Sequence, residues 1–196
     1  MIIGVLALQG AFQEHIKVLE QLGAQAVEVR LPEQLQSING LIIPGGESTS
    51  ILKLMKHYLL AEPLRELTRS GLPVLGTCAG LIVLAKYLST NSCETLGLMD
   101  MTVARNAFGR QVDSFETEIN VPVLGEPPFK AVFIRAPIIE KVSPQVEVLA
   151  RLTNGTIVAA RQGNLVVTAF HPELADDSRF HRYFLDIVKG ERATSL

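Results

Sequence analysis

The chain has 196 residues, 47% hydrophobic and 19% charged, with 18 basic against 20 acidic side chains and a formal charge of −2. That size suits one domain able to bury roughly 70% of its unfolded surface, and the composition excludes intrinsic disorder. The near-neutral balance argues against a nucleic-acid binder or a membrane-surface protein, and no apolar run approaches the roughly 18 residues needed to cross a bilayer.

Ile2 to Leu8 is an apolar run of strand length with no basic segment ahead of it, so it reads as a first buried strand and not as a signal peptide. Phe12, His15, Ile16, Leu19 and Leu22 recur at helical spacing, and Gly23 stops that helix. Ala26 to Val29 is a second strand. Gly40 to Ile43 is a third, ended by Pro44-Gly45-Gly46. Helices are expected over Ser48 to Tyr58, with Ser48 or Thr49 as the cap, and over Pro63 to Arg69. Leu72 to Leu75 is a fourth strand, and Gly80 to Leu88 reads as an apolar helix.

Strands without polar alternation, separated by helices, indicate a parallel sheet covered on both faces. The second half reads differently. Gln111 to Ile119 alternates, and Ala131 to Ile134, Val146 to Leu152, Ile157 to Ala160 and Leu165 to Ala169 follow at short intervals. Asn154-Gly155 and Gly163-Asn164 between them are hairpin turns, so antiparallel strands are expected to extend the sheet. A final amphipathic helix covers Phe180 to Val188, and the last six residues are expected to fray. Residues 1–196 are expected to form a single domain.

Gly76-Thr77-Cys78-Ala79-Gly80 lies between an apolar strand and an apolar helix. This is the glycine-flanked nucleophile elbow with Cys in the serine position. The glycines permit a turn too tight for side chains, and the helix N-terminus below the thiol favours thiolate, the reactive form. A structural cysteine in a Gly-rich turn is the plainer alternative. The other cysteine, Cys93, sits in a polar loop and reads as incidental. Two cysteines make no disulfide framework, so both read as free thiols in a reducing, cytoplasmic compartment.

A cysteine nucleophile needs a base. His15, His57 and His181 fall on expected helices in ordinary surface or boundary patterns. His171 follows the strand Val166 to Phe170 and precedes Pro172-Glu173, so Glu173 at i+2 can face the imidazole, fix its tautomer and stabilise imidazolium. Pro44-Gly45-Gly46-Glu47-Ser48 offers backbone N–H groups. Gly46 and Ala79, the residue after the cysteine, are candidate oxyanion donors. No histidine pair at i,i+4 and no C-x-x-C motif calls for a metal, and no phosphate-binding signature or cofactor is indicated.

Pro44-Gly45-Gly46, Gly76-x-Cys78-x-Gly80 and His171-Pro172-Glu173 together resemble the class I, triad-type glutamine amidotransferases. Leu6 to Ala11, Pro44 to Thr49, Arg105 to Glu116 and Phe133 to Pro137 narrow the resemblance to the glutaminase subunits of pyridoxal 5′-phosphate synthases, over essentially the whole chain. The resemblance implies a flavodoxin-like three-layer α/β/α sandwich, a mostly parallel sheet with added antiparallel strands. It implies Cys78 as nucleophile with His171 and Glu173 completing a triad, and L-glutamine contacts from Gly46, Glu47, Ser48, Arg105, Ile134 and Arg135. Arg105 or Arg135 suits the α-carboxylate and Glu47 the α-ammonium of glutamine. It also implies a (β/α)8-barrel synthase subunit as partner, in a complex of twelve plus twelve subunits, with glutaminase activity dependent on docking. Reorientation of the Gly45–Gly46 peptide on docking, with Gln9 taking part, is expected to complete the oxyanion hole. The alternatives are a glutaminase for another synthase, such as imidazole glycerol phosphate synthase, a Cys-dependent chaperone or deglycase, and a binding module with an inert elbow.

Overall fold

The structure, a computed structural model, describes residues 1–90, 94–105 and 114–190. Cys93, the motif residues 106–113 with the start of the alternating segment at Gln111, and the last six residues lie outside it.

The first half alternates strand and helix as the apolar runs dictate: β1 (Ile2–Leu6), α1 (Phe12–Gln21), β2 (Gln25–Val29), β3 (Gly40–Ile43), α2 (Ser48–His57), α3 (Ala61–Arg69), β4 (Val74–Thr77) and α4 (Ala79–Leu84). The second half is strand-rich: β5 (Ala85–Leu88), β6 (Met99–Ala104), β7 (Ser114–Ile119), β8 (Phe129–Ile134), β9 (Ile138–Val142), β10 (Glu147–Arg151), β11 (Ile157–Gln162) and β12 (Leu165–Thr168), closed by α5 (Arg179–Lys189). The main sheet runs β2-β1-β3-β4-β12-β11-β9-β6-β5, with β10 paired to β11. β2, β1, β3, β4 and β12 are mutually parallel. β3, β4 and β12 are buried at every position, which is why they read as unbroken apolar runs.

Side-chain alternation sorts the helices onto two faces. On β4, a β-carbon on Gly76 would meet Gly80 and Leu84 of α4, whereas Thr77 reaches His15 of α1 on the opposite face. α5 shares the α1 side, since His181 contacts His15, and α2 packs on α4. The architecture is therefore the expected layered α/β sandwich, with a mostly parallel core and antiparallel additions.

The structure corrects four local expectations. The apolar segment from Gly80 is helical only to Leu84, and Ala85–Leu88 form edge strand β5, parallel to β6. A uniformly apolar run carries no readable period; here Lys86 and Tyr87 emerge at the sheet edge and Lys86 pairs with Asp100 at 2.7 Å. β7 and β8 do not extend the sheet but form a separate two-stranded ribbon. β12 sits inside the sheet, antiparallel to β11 but parallel to β4. The cap of α2 is Glu47, not Ser48 or Thr49: its carboxylate accepts from the N–H groups of Thr49 at 3.0 Å and Ser50 at 2.7 Å.

Candidate active site

The parallel strands end together, and the site forms at their carboxyl edge, where open α/β sheets leave a crevice. β4 passes into α4 through Cys78, whose φ of 49° and ψ of −100° lie outside the usual allowed regions. Such a conformation costs about 1–3 kcal/mol and persists only where the surroundings enforce it. They do so here. Cys78 N–H donates to the Thr168 carbonyl at 2.8 Å, tying the elbow to β12. Gly80 lets α4 lie against the Ile43 carbonyl of β3, a place a β-carbon would fill. The Cys78 side chain is nearly buried, with Sγ 3.8 Å from the Ile134 carbonyl oxygen.

β12 delivers His171 beside this thiol. The His171 N–H donates to the Val132 carbonyl of β8 at 2.8 Å, so the ribbon helps hold the histidine. Its ring lies against Gly45, where a β-carbon would collide with Cε1. Pro172–Leu174 form a 3-10 turn and not the extended segment expected from the sequence, yet His171 Nδ1 and Glu173 Oε1 still meet at 2.7 Å. Burial opposes a charged imidazole, but hydrogen bonds to Cys78 and Glu173 and their negative charge outweigh it and raise His171 to about 10. Burial likewise opposes the Glu173 carboxylate, and the neighbouring His15 and His171 reverse it and hold the group below the ordinary carboxylate value.

Two residues read as peripheral from sequence prove to be fully buried. His15 and His181 have no exposed surface. His15 Nε2 lies 3.3 Å from Glu173 Oε2 and 3.2 Å from Thr77 Oγ1, and its Nδ1 lies 2.9 Å from His181 Nε2. Burial lowers both, His181 to about 3. A signal was present in the sequence: His15 shares the apolar face of α1 with Leu19, and His181 stands among Phe180, Tyr183 and Phe184. His57, by contrast, is exposed.

Of the remaining candidates, Ile134 meets the thiol through its carbonyl, and the turn that carries Gly46, Glu47 and Ser48 starts at Gly45 beside Cys78 and His171. The Gly45 carbonyl accepts from Ala11 N–H at 3.0 Å, and Gln9 Oε1 accepts from Glu47 N–H at 2.8 Å. A β-carbon on Gly46 would strike the same Gln9 side chain. Ala79 opens α4, and Ser48 opens α2 with its hydroxyl buried. Glu47 and Arg105, expected to take opposite ends of an amino acid, pair with each other at 3.1 Å, and Arg105 also reaches Thr49 Oγ1 at 3.2 Å. Slight burial works against the Glu47 charge, but the Ser50 and Thr49 hydrogen bonds prevail and lower it to about 2. Ile134 ends β8, and Arg135 follows it at a φ of 43°. Among the described residues no group of three or more His, Cys, Asp or Glu is arranged to hold a metal ion, and no helix is long and apolar enough to cross a membrane.

Comparison with known proteins gives a consistent picture. The profile of the SNO glutamine amidotransferase family matches residues 5–190. The chain is 60% identical over 191 residues to pyridoxal 5′-phosphate synthase subunit PdxT of Dehalococcoides mccartyi (strain 195), covering 96% of this chain and 98% of that one. It is 59% identical over 188 residues to the PdxT of Moorella thermoacetica, covering 96% and 100%. A crystal structure of a glutamine amidotransferase superposes with a TM-score of 0.92 at 47% identity, covering 96% of this chain and all of the other. PurLQS from Thermotoga maritima, at 17% identity and a TM-score of 0.68 over 94% of this chain and 97% of the other, shares the fold.

Proposed function

The chain belongs to the SNO glutamine amidotransferase family, and from that premise we propose that it is the glutaminase subunit of a pyridoxal 5′-phosphate synthase. The observation that carries the reading is a buried cysteine at a strained strand–helix elbow beside His171, itself bound to Glu173 at 2.7 Å.

In the proposed reaction the Cys78 thiolate attacks the side-chain amide carbon of L-glutamine. The oxyanion is received by the N–H groups of Ala79 and Gly46. His171, as imidazolium, gives its proton to the leaving nitrogen; ammonia departs and a glutamyl thioester remains. Water, deprotonated by His171, then releases glutamate and regenerates the thiolate. Glu173 holds His171 in the Nδ1–H tautomer and balances its charge.

Gly46, Glu47, Ser48, Arg105, Ile134 and Arg135 form the proposed glutamine site. The Glu47–Arg105 pair supports this, because it stores one anion and one cation at the rim, complementary to the two charges of a free amino acid. Glutamine binding then exchanges part of that pair for contacts to its own α-ammonium and α-carboxylate.

The ammonia is proposed to pass to a (β/α)8-barrel synthase subunit, in an assembly of twelve plus twelve subunits. A sealed route makes chemical sense, since ammonia is protonated in neutral water and loses its nucleophilicity. Docking is proposed to turn the Gly45–Gly46 peptide, releasing the Gly45 carbonyl from Ala11. Residues 1–196 act as one glutaminase domain, placed in the cytoplasm, where a free thiol stays reduced.

The test is glutamate release from glutamine with and without the synthase subunit, with Cys78→Ala as control. Activity that rises with synthase and vanishes in Cys78→Ala is expected. Its absence with both proteins folded and bound would remove the glutaminase assignment in favour of a binding module.

A further inference from the structure

The chemistry above uses neither His15 nor His181, yet the structure buries both completely, His15 beside the second oxygen of Glu173 and His181 against His15. Two imidazoles stripped of water need a reason to be there, because a hydrophobic pair of similar size would fill the same space at no desolvation cost.

The contacts favour one placement of protons. Glu173 Oε1 accepts from His171 Nδ1–H. Glu173 Oε2 has no partner at hydrogen-bonding geometry; His15 Nε2 lies 3.3 Å from it and is hydrogen-bonded with Thr77 Oγ1 at 3.2 Å. A proton on His15 Nε2 donates to Thr77 Oγ1 and turns the positive end of the N–H dipole toward Oε2; a bare nitrogen there would oppose the carboxylate. A neutral His15 with Nε2–H has a bare Nδ1, which must accept. His181 Nε2 lies 2.9 Å away and donates to it. His181 then has a bare Nδ1, and that atom is buried without a partner. An unfilled acceptor is the less costly way to end a buried chain, since an orphaned N–H is rarer in folded proteins than an under-used acceptor.

We propose that His15 is a positioning residue for the active site, holding the second carboxylate oxygen of Glu173 through an Nε2–H tautomer that His181 selects. The inference rests on the glutaminase reading and extends it by one shell of the interior. Its use is to fix the carboxylate from both sides without spending its charge. A cationic His15 would compete with His171 for the same anion. A neutral donor orients Glu173 and leaves its negative charge to His171. The groups facing His15 are Glu173, Thr77 and His181, with His171 and Glu14 acting at longer range. Burial lowers His15 and His181, in keeping with neutral rings.

The test has two independent parts. In the isolated wild-type chain labelled with 15N-histidine, nitrogen shifts at pH 7 should show His15 and His181 as neutral Nε2–H tautomers, with His171 as imidazolium. In the complex with synthase, His15→Leu should lower kcat about ten- to hundredfold, the scale of one hydrogen bond to a buried charge, and leave KM for glutamine within about twofold. His15→Gln, whose amide nitrogen can replace Nε2–H, should recover most of the loss. A charged or Nδ1–H His15, a folded His15→Leu with wild-type kcat, or a His15→Gln no better than His15→Leu would each overturn the proposal. A wild-type complex that released no glutamate would overturn the glutaminase reading instead, and the tautomer pattern would still decide the proton chain.

Discussion

At the scale of single residues, the site is governed by which ionisable groups the fold strips of water. His181 is lowered to about 3, His15 is lowered with it, and His171 is raised to about 10. Above pH 6.5 His15 and His181 are neutral in both states and add nothing. Below it the unfolded chain binds protons that the folded chain refuses, so stability falls with pH down to about 3. His171 has the opposite sign: its contribution is complete below 6.5 and is lost as pH rises through about 10. Glu173, held low, contributes above its ordinary value of 4.5 and loses that contribution as pH falls through its folded value. Urea unfolding midpoints should therefore fall on both sides of neutrality. His181→Phe should flatten the slope between pH 6.5 and 4; an unchanged slope would show that the acid sensitivity arises elsewhere.

Among the elements, α2 shows how one side chain can cap a helix and also belong to the proposed glutamine site. Glu47 caps the helix through Thr49 and Ser50 and pairs with Arg105. Glu47→Ala should cost about 1 kcal/mol in urea denaturation, the usual worth of an N-cap, and raise KM for glutamine more than it lowers kcat. A stability loss with unchanged KM would confine Glu47 to capping. The cap was not legible because Ser and Thr lead the cap ranking and both stand one or two residues further on. The end of α4 was hidden for a different reason. Leu81 to Ala85 are all buried, so the hydrophobic pattern is flat where helix becomes strand.

Across the whole molecule, the β7–β8 ribbon is fastened over the sheet end by an aromatic cluster. Phe170 stands 5.6 Å from Phe129, 5.5 Å from Phe133 and 5.2 Å from Phe180, ring centre to ring centre. Arg179 of α5 adds a clamp, donating to the carbonyls of Gly125 and Pro127 while held by Asp177. The ribbon carries Ile134 to the thiol and Val132 to His171. Phe170→Ala should thus cost roughly 3–5 kcal/mol and lower kcat as well, since the residue next to His171 loses its packing. Chemical denaturation and kinetics on the same preparation check both; intact activity in a destabilised variant would show that the ribbon does not hold the site.

Short-range physics makes much of this chain readable before it folds. Unbroken apolar runs specify buried parallel strands, glycines at Gly76 and Gly80 specify the elbow, and Asn154-Gly155 and Gly163-Asn164 specify hairpins. The i, i+2 spacing of His171 and Glu173 also keeps those two within reach, although the backbone between them is a 3-10 turn and not the extended segment it suggested. Which distant groups share one dry interior is settled by packing. His15 and His181 are 166 residues apart, and the apolar faces they stand on signal burial without saying that they meet each other and a carboxylate. Strand order, the separation of the ribbon and the Glu47–Arg105 pair likewise depend on long-range contacts. None of them has a signature within the short window over which side-chain period and turn chemistry act.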